Sequence, residues 1–85
     1  MKYDNGFYDE RDLIDNLNRG CEIEFLYEGK KYSITHTDGG ISIIEFYNEE
    51  SEKVYAMPEL LLEHKLNGKA LKEIISEMKI IDRSF

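Results

Sequence analysis

Two neighbouring stretches of this chain alternate between apolar and polar residues, and a Glu28-Gly29 pair separates them. The stretches are residues 21–27 and residues 30–36. A period of two is typical of half-buried strands, and a two-residue turn containing glycine joins two strands into a tight hairpin. The hairpin predicts three facing pairs, which are Phe25 with Tyr32, Ile23 with Ile34, and Cys21 with His36.

A third strand, from Ile41 to Tyr47, follows the turn residues Asp38-Gly39-Gly40. A three-residue loop places Ser42, Ile44 and Phe46 in the core and turns Ile41, Ile43 and Tyr47 outward. A two-residue loop reverses this arrangement and buries Glu45. Because an unpaired buried carboxylate costs several kcal/mol, the sequence favours the first register.

Helical periodicity flanks these strands. Asp9 and Asp12 are typical of a helix start, and Tyr8 can pack on Leu13 as a hydrophobic staple, which predicts a helix over 10–19. After a short edge strand at 53–56, Pro58 suits the first position of a helix that runs to Leu66. A second amphipathic stretch is formed by Leu71, Ile74, Ile75 and Met78. Ile80 and Ile81 either pack on the sheet or add a last short strand.

These elements predict one α+β domain over residues 1–85. The expected order is an N-terminal helix, a three- or four-stranded antiparallel β-meander, and two C-terminal helices packed on one face of the sheet. A chain of 85 residues has room for a single core.

The charge of the chain restricts its partners. Eighteen Asp and Glu against eleven Lys and Arg give a net charge of −7, which opposes direct nucleic-acid binding and favours a basic protein partner. Lys65, Lys69 and Lys72 recur at helical spacing and predict a solvated helix face. No apolar run is long enough to span a bilayer, and a single cysteine cannot form an internal disulfide, so we expect a cytoplasmic protein, monomeric or a small homo-oligomer.

The string EIEFLYEGKKYSI, Glu22 to Ile34, followed by GKALKEI, Gly68 to Ile74, resembles short uncharacterised acidic proteins of Gram-positive bacteria and their prophages. The resemblance implies a helix, a β-meander and further helices in this order. It implies no activity.

Cys21 and His36 are the one pair with catalytic potential, because a facing histidine can generate a thiolate nucleophile. The signatures of cysteine hydrolases are absent, which favours a structural cysteine beside a histidine at a strand end. A zinc site would need these two residues, His64 and a carboxylate to converge without any paired local ligands. The sequence therefore predicts no catalytic residue, no metal and no cofactor.

The outward residues of the predicted sheet form a carboxylate-rich face with apolar members. We expect a partner to bind there, at Glu22, Glu24, Leu26, Ile43, Glu45 and Tyr47. The hypothesis is a non-enzymatic protein-interaction module, specifically a phage or prophage accessory inhibitor of the anti-defence type that blocks a basic nucleic-acid-handling protein. One alternative is an immunity protein or antitoxin that neutralises a basic toxin, and another is a small hydrolase or redox protein built on Cys21 and His36.

Overall fold

The structure of the chain is a computed structural model that describes residues 9–84, with the side chains of 83 and 84 left out. Seven strands, three α-helices and one 3₁₀ turn alternate along these residues. In chain order they are α1 (Glu10–Asn18), β1 (Glu22–Tyr27), β2 (Lys30–Thr37), β3 (Gly40–Glu45), β4 (Asn48–Tyr55), α2 (Pro58–Leu61), β5 (Lys65–Leu66), β6 (Lys69–Ala70), α3 (Leu71–Ile74), the 3₁₀ turn (Ile75–Glu77) and β7 (Lys79–Ser84).

Helix α1 begins as the sequence predicts. The backbone N–H of Asp12 donates to Oδ1 of Asp9 at 3.0 Å, which satisfies one of the unpaired donors of the first turn. Leu13 and Leu17 are fully buried one turn apart, so the apolar stripe of the helix packs into the core. The predicted staple to Tyr8 lies outside the described residues.

The hairpin of β1 and β2 has the predicted register, with Phe25 opposite Tyr32 and Ile23 opposite Ile34. The rings of Phe25 and Tyr32 stack with their centroids 5.3 Å apart. Strands β3 and β4 continue the meander, and β7 returns to pair antiparallel with β1. The result is an antiparallel five-stranded sheet in the order β4-β3-β2-β1-β7, so the chain is an α+β protein.

The preferred register of β3 is wrong. Thr37 pairs with Gly40, so the loop holds two residues, and Ile41 and Ile43 are buried at 5% and 1% exposure. The expected cost of burying Glu45 does not arise, because this residue ends the strand, keeps 27% of its side chain exposed and lies 3.9 Å from Nζ of Lys30. Ile44 and Phe46, expected in the core, are only partly buried.

The predicted helix up to Leu66 is also wrong, because α2 ends at Leu61. Asn67 and Gly68 have φ of 54° and 85° and form the tip of a second hairpin, β5 with β6. Positive φ at both central positions is the geometry of a type I′ turn, for which Asn-Gly is the preferred pair. The expected lysine stripe is therefore absent, since Lys65 and Lys69 lie on strands of this hairpin and Lys72 on α3.

The core lies on one side of the five-stranded sheet. Helices α1, α2 and α3 bury their apolar residues in the same cluster as Ile23, Phe25, Ile34 and Ile43. The cluster also contains Leu71, Ile74, Ile75 and Met78, the apolar positions predicted for the C-terminal stretch. No helix among residues 9–84 covers the opposite side of the sheet.

Candidate binding surface on the open sheet face

We call the side of the sheet that faces away from the helices the open face. Burial alternates along β1, with Ile23, Phe25 and Tyr27 buried toward the helices and the residues between them turned the other way. The members of the open face on β1 to β4 are Glu22, Glu24, Leu26, Lys31, Ser33, Thr35, Ser42, Ile44, Glu52 and Val54. Strand β7 adds Lys79 and Asp82, which pair with Leu26 and Glu24.

The apolar part of the open face lies toward one end of the strands. Leu26 and Ile44 are half-buried there, on either side of β2. Nζ of Lys31 lies 4.4 Å from the centroid of the Phe46 ring, which is within the range of a cation–π contact. These partly covered apolar side chains can bury more surface when another protein packs on them.

The acidic part lies toward the edge strand β7. Glu24 stands directly opposite Asp82 on the neighbouring strand, and Glu22 precedes it by two residues on the same face. Like charges in facing positions of a sheet destabilise it. None of these carboxylates has a cation within 4.0 Å in the described part of the chain.

A further carboxylate is held at the other margin of the open face. The hydroxyl of Ser42, a residue with 1% exposure, donates to Oε2 of Glu52 at 2.6 Å. A short hydrogen bond to a charged acceptor fixes the position of the carboxylate group. Acidic groups therefore flank the apolar part of the open face on two sides.

The residues expected to bind a partner do not all lie on this face. Glu22, Glu24 and Leu26 do, whereas Ile43 is part of the core and Glu45 points to the helical side, next to Lys30. Ile44 replaces Ile43 on the open face. Asp38-Gly39 is a two-residue loop in the structure, but its only neighbour with a positive φ is Gly40, so the pair does not form the type I′ turn that Asp-Gly usually signals.

Tyr47, also expected at the partner-binding surface, lies in the turn between β3 and β4. Its φ is 65° and its side chain is fully exposed at 101%. The ring meets that of Phe46 edge to face, with centroids 6.1 Å apart. Tyr47 therefore projects beyond the apolar end of the open face.

Cys21 and His36 are neighbours, as the hairpin predicts, and Nε2 of the histidine is engaged with the backbone of the cysteine. Nε2 of His36 donates to the backbone carbonyl of Cys21 at 3.2 Å, and the thiol lies 3.7 Å from the carbonyl oxygen of Glu22. A ring nitrogen that donates to a carbonyl carries a proton and cannot take one from the thiol. Cys21 itself is 0% exposed.

Residues 9–84 contain neither a metal site nor a membrane-spanning helix. No group of three or more His, Cys, Asp and Glu side chains in that range is arranged to hold a metal ion. None of the helices there has the length and apolar character needed to cross a membrane.

Comparison of the chain with protein-family models, with curated proteins and with solved structures finds no match in any of the three.

Proposed function

We propose that this chain is a non-enzymatic protein-interaction module that binds a basic protein through its open face. The observation that carries the proposal is the facing pair of Glu24 and Asp82, with Glu22 beside them and no described cation in contact. Lysines or arginines of a partner would neutralise these carboxylates. The repulsion that destabilises the isolated fold would then contribute favourably to the free energy of binding.

The apolar residues of the open face supply the second requirement of an interface. Leu26, Ile44 and Phe46 are partly exposed and lie between the acidic margins. Interface cores are apolar and aromatic, and the charged rim around them steers encounter and sets specificity. We therefore assign anchoring to the apolar residues and steering to the carboxylates.

The edges of the sheet are poor alternatives for docking. Strand β4 interrupts its pairing with β3 after Ile43 and carries charged residues, and β7 changes register opposite Glu24 and Phe25. Charged side chains and bulges on edge strands disfavour the addition of another strand. These features support docking on the open face over docking at an edge.

A nucleic-acid-handling protein is the partner that this arrangement suits. Glu22 and Glu24 lie two residues apart on the same face of β1, a rise of about 6.8 Å. A row of carboxylates can occupy cationic positions that otherwise hold phosphates. We propose a phage or prophage accessory protein of the anti-defence type that blocks such a partner.

Affinity capture from a bacterial lysate tests the proposal when three forms of the chain are compared. They are the wild type, the variant Glu22→Lys with Glu24→Lys, and a control with Glu59→Lys and Glu77→Lys on the helical side. Each double variant carries a net charge of −3, because each reversal adds two units to −7. The control thus matches the change in overall charge.

The wild type and the control should retain the same basic protein, and the open-face variant should lose it. With the isolated partner at low salt, we expect the open-face variant to associate about 10-fold more slowly than the control. The difference should shrink as salt rises, since the screening length is only about 8 Å at physiological ionic strength. Equal retention of the partner by both variants would remove the basis of the proposal.

A further inference from the structure

A polar cleft lies on the helical side of the sheet, at the end where β2 begins and β3 ends. It has a volume of about 270 Å³ and runs between the hairpin of β5 and β6 and the ends of β2 and β3. The polar residues that line it are Lys30, Tyr32, Glu45, Ser51, His64, Lys65 and Asn67. The volume is close to the lower limit of pockets that hold small molecules, about 300 Å³.

Two side-chain contacts hold the hairpin against the sheet. Nδ1 of His64 lies 2.7 Å from the hydroxyl of Tyr55, and Nδ2 of Asn67 donates to the carboxylate of Glu28. One contact lies just before the hairpin and the other at its tip. The hairpin of β5 and β6, which forms one wall of the cleft, is therefore held in position at its start and at its tip without a ligand.

Tyr32 contributes a hydrogen-bond donor without a protein acceptor. The residue is 5% exposed and lines the cleft, and its hydroxyl makes no hydrogen bond within the described residues. Burial, and then the nearby charge of Glu45, raises the pKa of Tyr32, so the hydroxyl keeps its proton. The Tyr32 hydroxyl is not among the enclosed side-chain atoms that lack a partner, so it is reachable from the cleft and free to donate to an acceptor on a ligand.

Three nitrogen groups add to this donor set. The ammonium groups of Lys30 and Lys65 belong to residues of the lining. Burial, and then the charge of Lys53, lowers the pKa of His64, so its ring is neutral at neutral pH. Nδ1 is engaged with the Tyr55 hydroxyl, which leaves Nε2 as the ring nitrogen for a ligand, and Nε2 is a donor in the tautomer in which Nδ1 accepts from Tyr55. Such a lining suits a carboxylate.

Glu45 supplies the opposite charge in the same cleft. Its Oε2 lies 3.9 Å from Nζ of Lys30, which is an ion pair too long for a hydrogen bond. Both groups therefore retain their hydrogen-bonding capacity for a ligand. A bound molecule with an ammonium group near Glu45 and a carboxylate near the lysines would satisfy both charges.

We propose that this cleft binds a small zwitterion of the α-amino acid class, with its ammonium group on Glu45 and its carboxylate on Lys30, Lys65 and the Tyr32 hydroxyl. Ile44 belongs to the open face and also lines the cleft, whereas Glu22, Glu24 and Leu26 do not line it. The variant Glu22→Lys with Glu24→Lys therefore tests binding of a basic protein without changing a residue of the cleft.

Amide NMR spectra of the full chain, titrated with each of the common free L-amino acids in turn, test the site. At least one should shift the amides of Ser51, Lys65 and Asn67 saturably, with a Kd of about 1 mM or tighter. The N-acetyl and carboxamide derivatives of the best amino acid should each bind about 10- to 100-fold more weakly, because each lacks one charged group.

Glu45→Gln should weaken binding of the same amino acid by about 10- to 100-fold, since it removes the charged acceptor. Glu63→Gln is the matched control, because Glu63 is also paired with a lysine, Lys72, but does not line the cleft. It should leave the Kd unchanged.

Three results would overturn the proposal. They are no saturable shift below about 10 mM for any amino acid, equal affinity of the N-acetyl derivative, or equally tight binding of inorganic phosphate. If Glu45→Gln does not fold, the N-acetyl derivative tests the same ammonium contact on the wild-type chain.

Discussion

Replacing Ile43 by alanine should lower the free energy of unfolding by about 2–5 kcal/mol, whereas Ile44→Ala should lower it by about 1 kcal/mol or less. The two residues are adjacent and chemically identical, but Ile43 is 1% exposed and stands opposite the fully buried Ile34. Its truncation leaves a cavity in the core. Ile44 lies half-buried on the open face, where truncation leaves space that water fills.

Urea unfolding measures both values, with tyrosine fluorescence as the signal because the chain has six tyrosines and no tryptophan. The variants serve as each other's control, since both remove the same atoms from β3. A larger loss for Ile44→Ala than for Ile43→Ala would restore the register with a three-residue loop and reverse the two faces of the strand.

Gly40→Ala should be the second most damaging of the changes considered, with a loss of about 2–4 kcal/mol in the free energy of unfolding. Gly40 has a φ of 134°, which side-chain-bearing residues rarely adopt. A Cβ at this position would overlap the carbonyl oxygen of Tyr55 and lie 2.9 Å from its carbonyl carbon. Because the obstacle is backbone of β4, no rotamer change can relieve it.

The neighbouring Gly39 is the matched control. A Cβ there would lie 3.5 Å from Cγ1 of Val54, an ordinary contact, so Gly39→Ala should change the free energy of unfolding by no more than about 1 kcal/mol in either direction. Thermal or urea unfolding of the two variants shows which of the two glycines the fold requires. Equal stability would mean that β3 and β4 do not approach each other at Gly40.

Local signals explain which parts of the fold could be predicted from the sequence. The start of α1 depends on Asp9 and Asp12, three residues apart, and the first hairpin depends on alternation on both sides of Glu28-Gly29. In both cases the interacting groups are close in the chain. The pattern and the structure therefore agree for these elements.

The register of β3 could not be predicted in the same way, because the decision depended on where Glu45 lies in three dimensions. The cost of a buried carboxylate applies to a strand centre, whereas Glu45 stands at a strand end beside Lys30. Its backbone N–H also finds a partner in the hydroxyl of Ser51, at 2.8 Å. The partners of Glu45 lie on β2 and β4, so the alternation of apolar and polar residues within β3 carries no information about them.

The sequence pattern does not predict the structure of the C-terminal third, for two reasons. Asn67-Gly68 is a strong turn signal, but the strands beside it have two residues each, too few for a detectable period. The pairing of β7 with β1 joins opposite ends of the chain, and no local pattern specifies it.

These differences change the candidate site. A shift of one residue in β3 exchanges Ile43 for Ile44 on the open face and moves Glu45 to the cleft on the helical side. Glu22, Glu24 and Leu26 keep their expected place because the register of β1 was correct. The facing position of Asp82 could not be foreseen, since it depends on the long-range pairing of β7.

Carbodiimide labelling of carboxylates, read by mass spectrometry with and without the captured basic partner, tests the open face most directly. Bound partner should reduce labelling of Glu22, Glu24 and Asp82 several-fold, because their carboxylates become covered and paired. Labelling of the exposed Glu59 and Glu77 on the helical side should stay unchanged. Protection of these two residues, with Glu22, Glu24 and Asp82 labelled as in the free chain, would contradict binding through the open face.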